Sequence, residues 1–195
     1  LAPKKGHGGY WTNEDWATLS FDKEEDWQTA ITLFEDRITV RYFDVLQIIE
    51  GREFSGFVVM SILCLLIEAL EQFIRGVKDT PARQQHAYFD SFLRREEFQP
   101  EFSDEVTRRL FVSHVRNGLL HQAEVKGRTR IIITKGCPLV RRAGDDGLII
   151  QRREFAGRVR LAFLNYVASL RGGRDLELRA RFRNKMAFVC DTETV

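Results

Sequence analysis

The chain has 195 residues, 44% hydrophobic and 30% charged, with a formal net charge of +2. That is enough chain to bury a core, and it is too apolar for a disordered segment. Its three cysteines, Cys64, Cys137 and Cys190, are far apart and show no CxxC spacing, which argues against a disulfide framework or a structural zinc and fits a reducing cytoplasm.

The opening LAPKKGHGGYW has no apolar signal-peptide core, and residues 1–20 are expected as a flexible tail before a single domain over 21–195. EEDWQTAITLFEDRITVRYFDVLQIIEG then predicts one long helix, with Trp27, Ile31, Phe34, Ile38, Val45, Ile48 and Ile49 at helical spacing. Glu24, Glu25 and Asp26 suit its positive end, and Gly51 closes it. The next helix, expected from Glu53 to Arg75, is apolar nearly all round. Its most apolar run, Phe57 to Leu70, contains Glu68 and falls short of the ~20 residues of a membrane span, so it reads as a core helix. Pro81 stops this stretch, and a shorter helical piece is expected in ARQQHAYFDSFLRR. After Pro100, SDEVTRRLFVSHVRNGLLHQAE predicts a helix capped by Ser103 and running to about Glu124.

The periodicity then changes. TRIIITKGCPLVRRAGDDGLIIQRR has short β-branched runs split by Gly, Pro and Asp, which predicts a small hairpin or meander insertion over 128–153. Gly144-Asp145-Asp146-Gly147 reads as a turn between strands rather than as a carboxylate pair for a metal. REFAGRVRLAFLNYVASL and LELRARFRNKMAFV return to helical patterning over 154–190. The expected fold class is mainly α: a helical core over 24–125, the β insertion, and C-terminal helices.

Charge is uneven along the chain. Residues 1–102 hold 11 Lys/Arg against 18 Asp/Glu, whereas residues 103–195 hold 19 against 10, balances of −7 and +9. An Arg-rich half fits a polyanion partner such as RNA, although a solvated surface explains the same count.

VRNGLLHQAE, residues 115–124, places Arg116, Asn117 and His121 at the end of a buried helix. Arg109 and His114 share the Arg-to-His spacing, so spacing alone selects neither pair. On an ideal helix Phe111, Val112, Val115 and Leu119 form one apolar arc. Leu110, His114, Asn117 and His121 share a second, half-apolar arc flanked by Val106 and Leu120, which predicts packing against a second copy of the chain. Arg116 stands about 140° from His121 on such a helix, with Gly118 between them easing distortion.

RNGLLH resembles the motif of the HEPN superfamily: an Arg, a polar residue, a few more, and a His closing a helix of a small bundle. Only Arg116–His121 fits, because Leu110 follows Arg109. FEDRITVRYFDVLQIIEG, MSILCLLIEALEQF and RNGLLHQAEVKG, in that order, resemble stand-alone bacterial HEPN proteins of the plasmid-borne kind. The resemblance covers about residues 27–127. It implies a HEPN-like bundle and metal-independent RNA cleavage by a homodimer, at a cleft fed by Arg and His from both subunits. No metal or cofactor is then expected.

Carried over, His121 is the general base on a ribose 2′-hydroxyl or the general acid to the leaving oxygen, a task suited to imidazole. Arg116 stabilises charge on the phosphoryl oxygens, Asn117 orients the phosphate or His121, and Glu68 holds Arg116. His114 is expected as a supporting interface or core histidine, and His7 and His86 as surface residues. The implied products are a 2′,3′-cyclic phosphate and a 5′-hydroxyl. Toxin-like or defence members imply an antitoxin or defence partner, and no membrane. Position 123 is Ala, so modification of a tyrosine two residues after the His is not supported. The alternatives are a non-catalytic HEPN module that dimerises and binds RNA or a partner protein, and a helical adaptor whose polar stripe sets dimer register.

Overall fold

A computed structural model describes residues 2–6 and 8–192; His7 lies outside the described residues. The fold is mainly α with a small three-stranded sheet inserted between helices. The chain divides into two compact units, 1–47 with 72–79 and 164–195, and 48–71 with 80–163.

In the first unit, the stretch expected as a loose tail contains a short antiparallel pair, β1 (Ala2–Pro3) with β2 (Tyr10–Trp11), and α1 (Asn13–Ala17). Thr12 and Asp15 form a reciprocal capping box on α1. Buried Asp36 accepts hydrogen bonds from Lys5 N and Trp11 Nε1, which ties this segment down. The long helix forms in three parts: α2 (Glu24–Ile38), a π turn over Thr39–Phe43, and α3 (Asp44–Ile49). Ile31, Phe34 and Ile38 are buried as their spacing predicts, but Val45 and Ile48 are exposed, and Phe43 and Leu46 take the inner face. The wide turn adds a residue and rotates everything after it, so a single 3.6-residue register cannot run the whole length. α9 (Leu176–Val189) completes the unit, and its Phe182 packs with Phe34, Phe73 and Trp16.

In the second unit, the apolar helix α4 (Gly56–Arg75) contributes buried Val59, Met60, Leu63, Cys64, Leu66, Ile67 and Leu70. By length and composition it is apolar enough to cross a membrane, but half of its most apolar window is buried within the protein, as in a core helix. α5 (Gln85–Leu93) forms the short helix expected there, and a 3₁₀ turn follows at Glu96–Phe98. Next comes a continuous helix of three parts: α6 (Glu105–Leu110), a π turn over Phe111–Arg116, and α7 (Asn117–Gln122). Its N-cap is Asp104, whose side chain accepts from Thr107 N at 2.8 Å, rather than the expected Ser103. It ends at Gln122, within two residues of the expected end, where Ala123 turns left-handed (φ 53°). Phe89, Phe92, Phe98, Phe102, Phe111 and Phe155 make an aromatic core, with Phe111 stacked on Phe155 at 5.0 Å between ring centres.

The insertion holds β3 (Arg130–Ile132), β4 (Val140–Arg142) and β5 (Leu148–Gln151) in the order β3-β5-β4. β4 and β5 form the expected hairpin across Gly144–Gly147, closed by Ala143 N donating to Gly147 O. β3, however, pairs in parallel with β5, so the insertion is not a meander. α8 (Arg152–Gly172) begins directly after β5. Its N-terminal residue Arg152 is buried and donates to Glu50 O at 2.8 Å.

Candidate active site

Arg116 is the centre of the site. Its Nη2 donates to Glu68 Oε2 at 3.0 Å and its Nη1 to Asn117 Oδ1 at 3.0 Å. The guanidinium lies 6.0 Å from the centre of the Phe89 ring. With 14% and 21% of their side chains exposed, Arg116 and Glu68 form a mostly buried pair. Arg116 Nε is buried without a hydrogen-bond partner. The donors left for a ligand are therefore the second N–H on each terminal nitrogen. One turn before Glu68, Cys64 is fully buried and its thiol is pushed up to about 12 by that burial, so no thiolate competes in this chemistry.

Arg116, Asn117 and His121 line one groove of about 460 Å³, together with Val112, Ser113, Arg83, Gln85 and His86. The π turn explains the alignment. Asn117 N donates to Val112 O, five residues back, so Asn117 stands one wide turn above Val112 instead of about 140° away. His121 follows Asn117 by one ordinary α turn. Val112, Asn117 and His121 thus form a row, and long Arg116 reaches the groove from the side. His121 is exposed.

The apolar arc behaves as its spacing predicts: Phe111, Val112, Val115 and Leu119 are all buried. The second arc does not hold together. His114 faces the chain's own insertion, with Nδ1 3.4 Å from Thr129 Oγ1 and its ring against Gly127, and it does not line the groove. It props the loop that leaves the helix, whose Lys126 N donates to His114 O.

Part of the basic surplus of the second half is paired within the protein. Arg108 is buried on Asp90 (2.6 Å) and on the carbonyls of Phe102 and Ser103. Arg179 is buried on Glu24 and Arg171 pairs with Glu35. A charge count does not by itself mark a polyanion-binding face. Asp145 and Asp146 sit in the hairpin turn, and among the described residues no cluster of three His, Cys, Asp or Glu stands ready for a metal.

Sequence reasoning missed the second wall of the groove. Arg83, Gln85 and His86 come from the turn before α5 and its first residues. Nothing in a single sequence pairs α5 with the helix carrying Arg116, although Phe89 and Asp90, at helical spacing from His86, mark the face that does so.

The chain matches no family model, no curated protein and no solved structure.

Proposed function

We propose that the chain is a metal-independent endoribonuclease of the HEPN type, a bacterial cytoplasmic toxin or defence effector that cuts RNA as a homodimer. The observation that carries this reading is an arginine fixed by Glu68 and Asn117 in the same groove that a free imidazole lines. A guanidinium held in place needs no reorganisation as charge builds on the phosphoryl oxygens. His121 exchanges a proton with the reacting 2′-hydroxyl or the leaving oxygen. Asn117 spends its carbonyl oxygen on Arg116, so it acts by holding the guanidinium and keeps its amide N–H groups for the phosphate.

The surroundings of the site support the homodimer. His121 is open to solvent, and a phosphoryl-transfer centre gains from losing that water. Val58 and Leu65 on α4 are 54% and 49% exposed, on the strip that leads to Glu68. A second copy laid along this strip would cover both apolar positions and close the groove. The charge of Glu68 against Arg116 suits the non-catalytic module as well, and an inactive pure protein would leave that reading standing.

The test is a mixed RNA pool incubated with purified protein in EDTA, with the ends of the products identified. Cyclic-phosphate and 5′-hydroxyl ends are expected. His121→Ala and Arg116→Ala should each lower the rate by about 10²–10⁴ while the fold persists. Arg116→Lys should also fail substantially, because it keeps charge but loses the planar fork. Exposed Arg109, changed to Ala, is the control. Cleavage that survives His121→Ala, or that requires added Mg²⁺, would overturn the proposal.

A further inference from the structure

The groove holds two imidazoles on opposite walls. His121 comes from α7, and His86 is the second residue of α5. Cleavage by a 2′-hydroxyl needs two proton transfers on opposite sides of phosphorus. One proton leaves the attacking oxygen, and another reaches the departing one. Within one chain, His121 alone leaves half of this unassigned.

The placement of His86 is fixed by its neighbours. Phe89 and Asp90 follow it by three and four residues, so the three share one face of α5. Phe89 is buried, lies under the Arg116 guanidinium and packs on Phe111 at 6.3 Å, while Asp90 grips Arg108 at 2.6 Å. The two helices therefore run side by side in opposite senses. Asp90 meets Arg108 near the start of the partner helix, Phe89 meets Phe111 and Arg116, and His86 falls at the groove beyond. His86 itself is exposed, and among the described residues no hydrogen bond or ion pair holds its ring.

Arg83 adds a second, independent observation. It lines the groove in a left-handed backbone conformation (φ 67°), at a turn closed by Gln84 N donating to Pro81 O at 3.0 Å. A non-glycine residue pays about 1–2 kcal/mol for that conformation. The turn would form more easily with Gly, and Arg83 brings a guanidinium to the groove from it. The N-cap Gln84 makes no side-chain hydrogen bond to the first turn of α5, which leaves those N–H groups on the same wall without a side-chain acceptor.

We infer that His86 is the second proton-transfer group, acting with His121 across the groove of one chain, with Arg83 holding a phosphate beside the one on Arg116. This rests on the nuclease reading above. In the step, one imidazole takes the 2′-hydroxyl proton as the 2′-oxygen bonds to phosphorus. The bond from phosphorus to the 5′-oxygen breaks, its electron pair stays on that oxygen, and the other imidazolium protonates it. One proton enters the enzyme and one leaves, and the step consumes no water, metal or oxidant. A second copy covers the groove but does not have to supply the missing acid or base.

The experiment compares wild type, His86→Ala and His121→Ala on a uridylyl-adenosine dinucleotide and on uridine 3′-nitrophenyl phosphate, across pH, in EDTA. The dinucleotide rate should fall about 10²–10⁴-fold in both variants. The bell-shaped pH profile should lose opposite limbs in the two. The nitrophenyl ester leaves without a proton, so it should restore whichever variant lacks the acid and not the other. Arg83→Gly should raise KM with little change in kcat, in a protein at least as stable as wild type. Mixing the two histidine variants should give no recovery, because no groove then holds both imidazoles.

A His86→Ala rate within about threefold of wild type, far below the loss of a proton-transfer group, would overturn the inference while leaving the nuclease intact. So would loss of the same limb in both variants, or equal response of both to the activated ester. Recovery on mixing would move the pair across the dimer and refute the one-chain placement. An unchanged KM in Arg83→Gly would remove the second phosphate contact. If wild type cleaves neither substrate, the nuclease reading itself falls, and this pair with it.

Discussion

Glu68→Gln isolates what the buried ion pair does. The substitution keeps the size of the side chain and one acceptor oxygen within reach of Arg116 Nη2, but removes the charge opposite the guanidinium. Removing one partner of a buried pair costs about 3–5 kcal/mol, and exposed pairs are worth under about 1 kcal/mol. With 14% of Arg116 and 21% of Glu68 exposed and one hydrogen bond retained, the loss should be about 2 kcal/mol. For a chain of this length that lowers Tm by about 4–8 °C. The guanidinium keeps its charge but loses its fixed position, so cleavage should slow by about 10–100-fold, mainly in kcat. Thermal melts and single-turnover cleavage in EDTA measure the two effects. A double-mutant cycle with Arg116→Ala should return a coupling of about 1–2 kcal/mol. A Glu68→Gln protein that melts and cleaves like wild type, with no coupling in the cycle, would mean that Glu68 does not position Arg116.

Three further outcomes follow from the geometry. A Cβ on Gly118 would stand 2.4 Å from Glu124 O where the chain doubles back over α7, so Gly118→Ala should destabilise by about 1–3 kcal/mol and displace His121; a melt unchanged from wild type would refute the close approach. Glu24 is held down to about 2, below its usual 4.5, by hydrogen bonds from Arg179 and Gln28. Its folded-state value lies below the unfolded one, so its stabilisation is complete above pH 4.5 and is lost as pH falls towards 2. Glu24→Gln should flatten acid unfolding across that window, and an unaltered acid limb would contradict the pairing. Cys64 and Cys190 are buried with thiols raised by that burial, whereas Cys137 is partly exposed. An aromatic disulfide reagent should therefore titrate one thiol per native chain and three after denaturation.

The mainly α fold with its β insertion was legible because periodicity reports burial directly. The bounds of α9 coincide with the apolar pattern Leu176–Val189, and the Gly144–Gly147 turn closes the hairpin it announces. The parallel pairing of β3 was not legible: β-branched runs give the existence of strands, whereas neighbours and direction depend on what covers them. Ser103 and Asp104 are both good caps one residue apart, and only the backbone at Thr107 N chooses between them.

The site was half legible for a different reason. Phe111, Val115 and Leu119 recur at α spacing, so the pattern gives no sign that the turn over Phe111–Arg116 is wide. Yet that turn decides which side chains share a face. In strict α register His114, Asn117 and His121 would stand together and Arg116 apart. With the extra residue absorbed at the turn, Asn117 aligns with Val112, His114 is left on the insertion side, and Arg116 and His121 open onto one groove. A π turn costs hydrogen-bond geometry. This one sets the wall that carries Arg116 and His121, and the left-handed Arg83 stands on the facing wall beside His86.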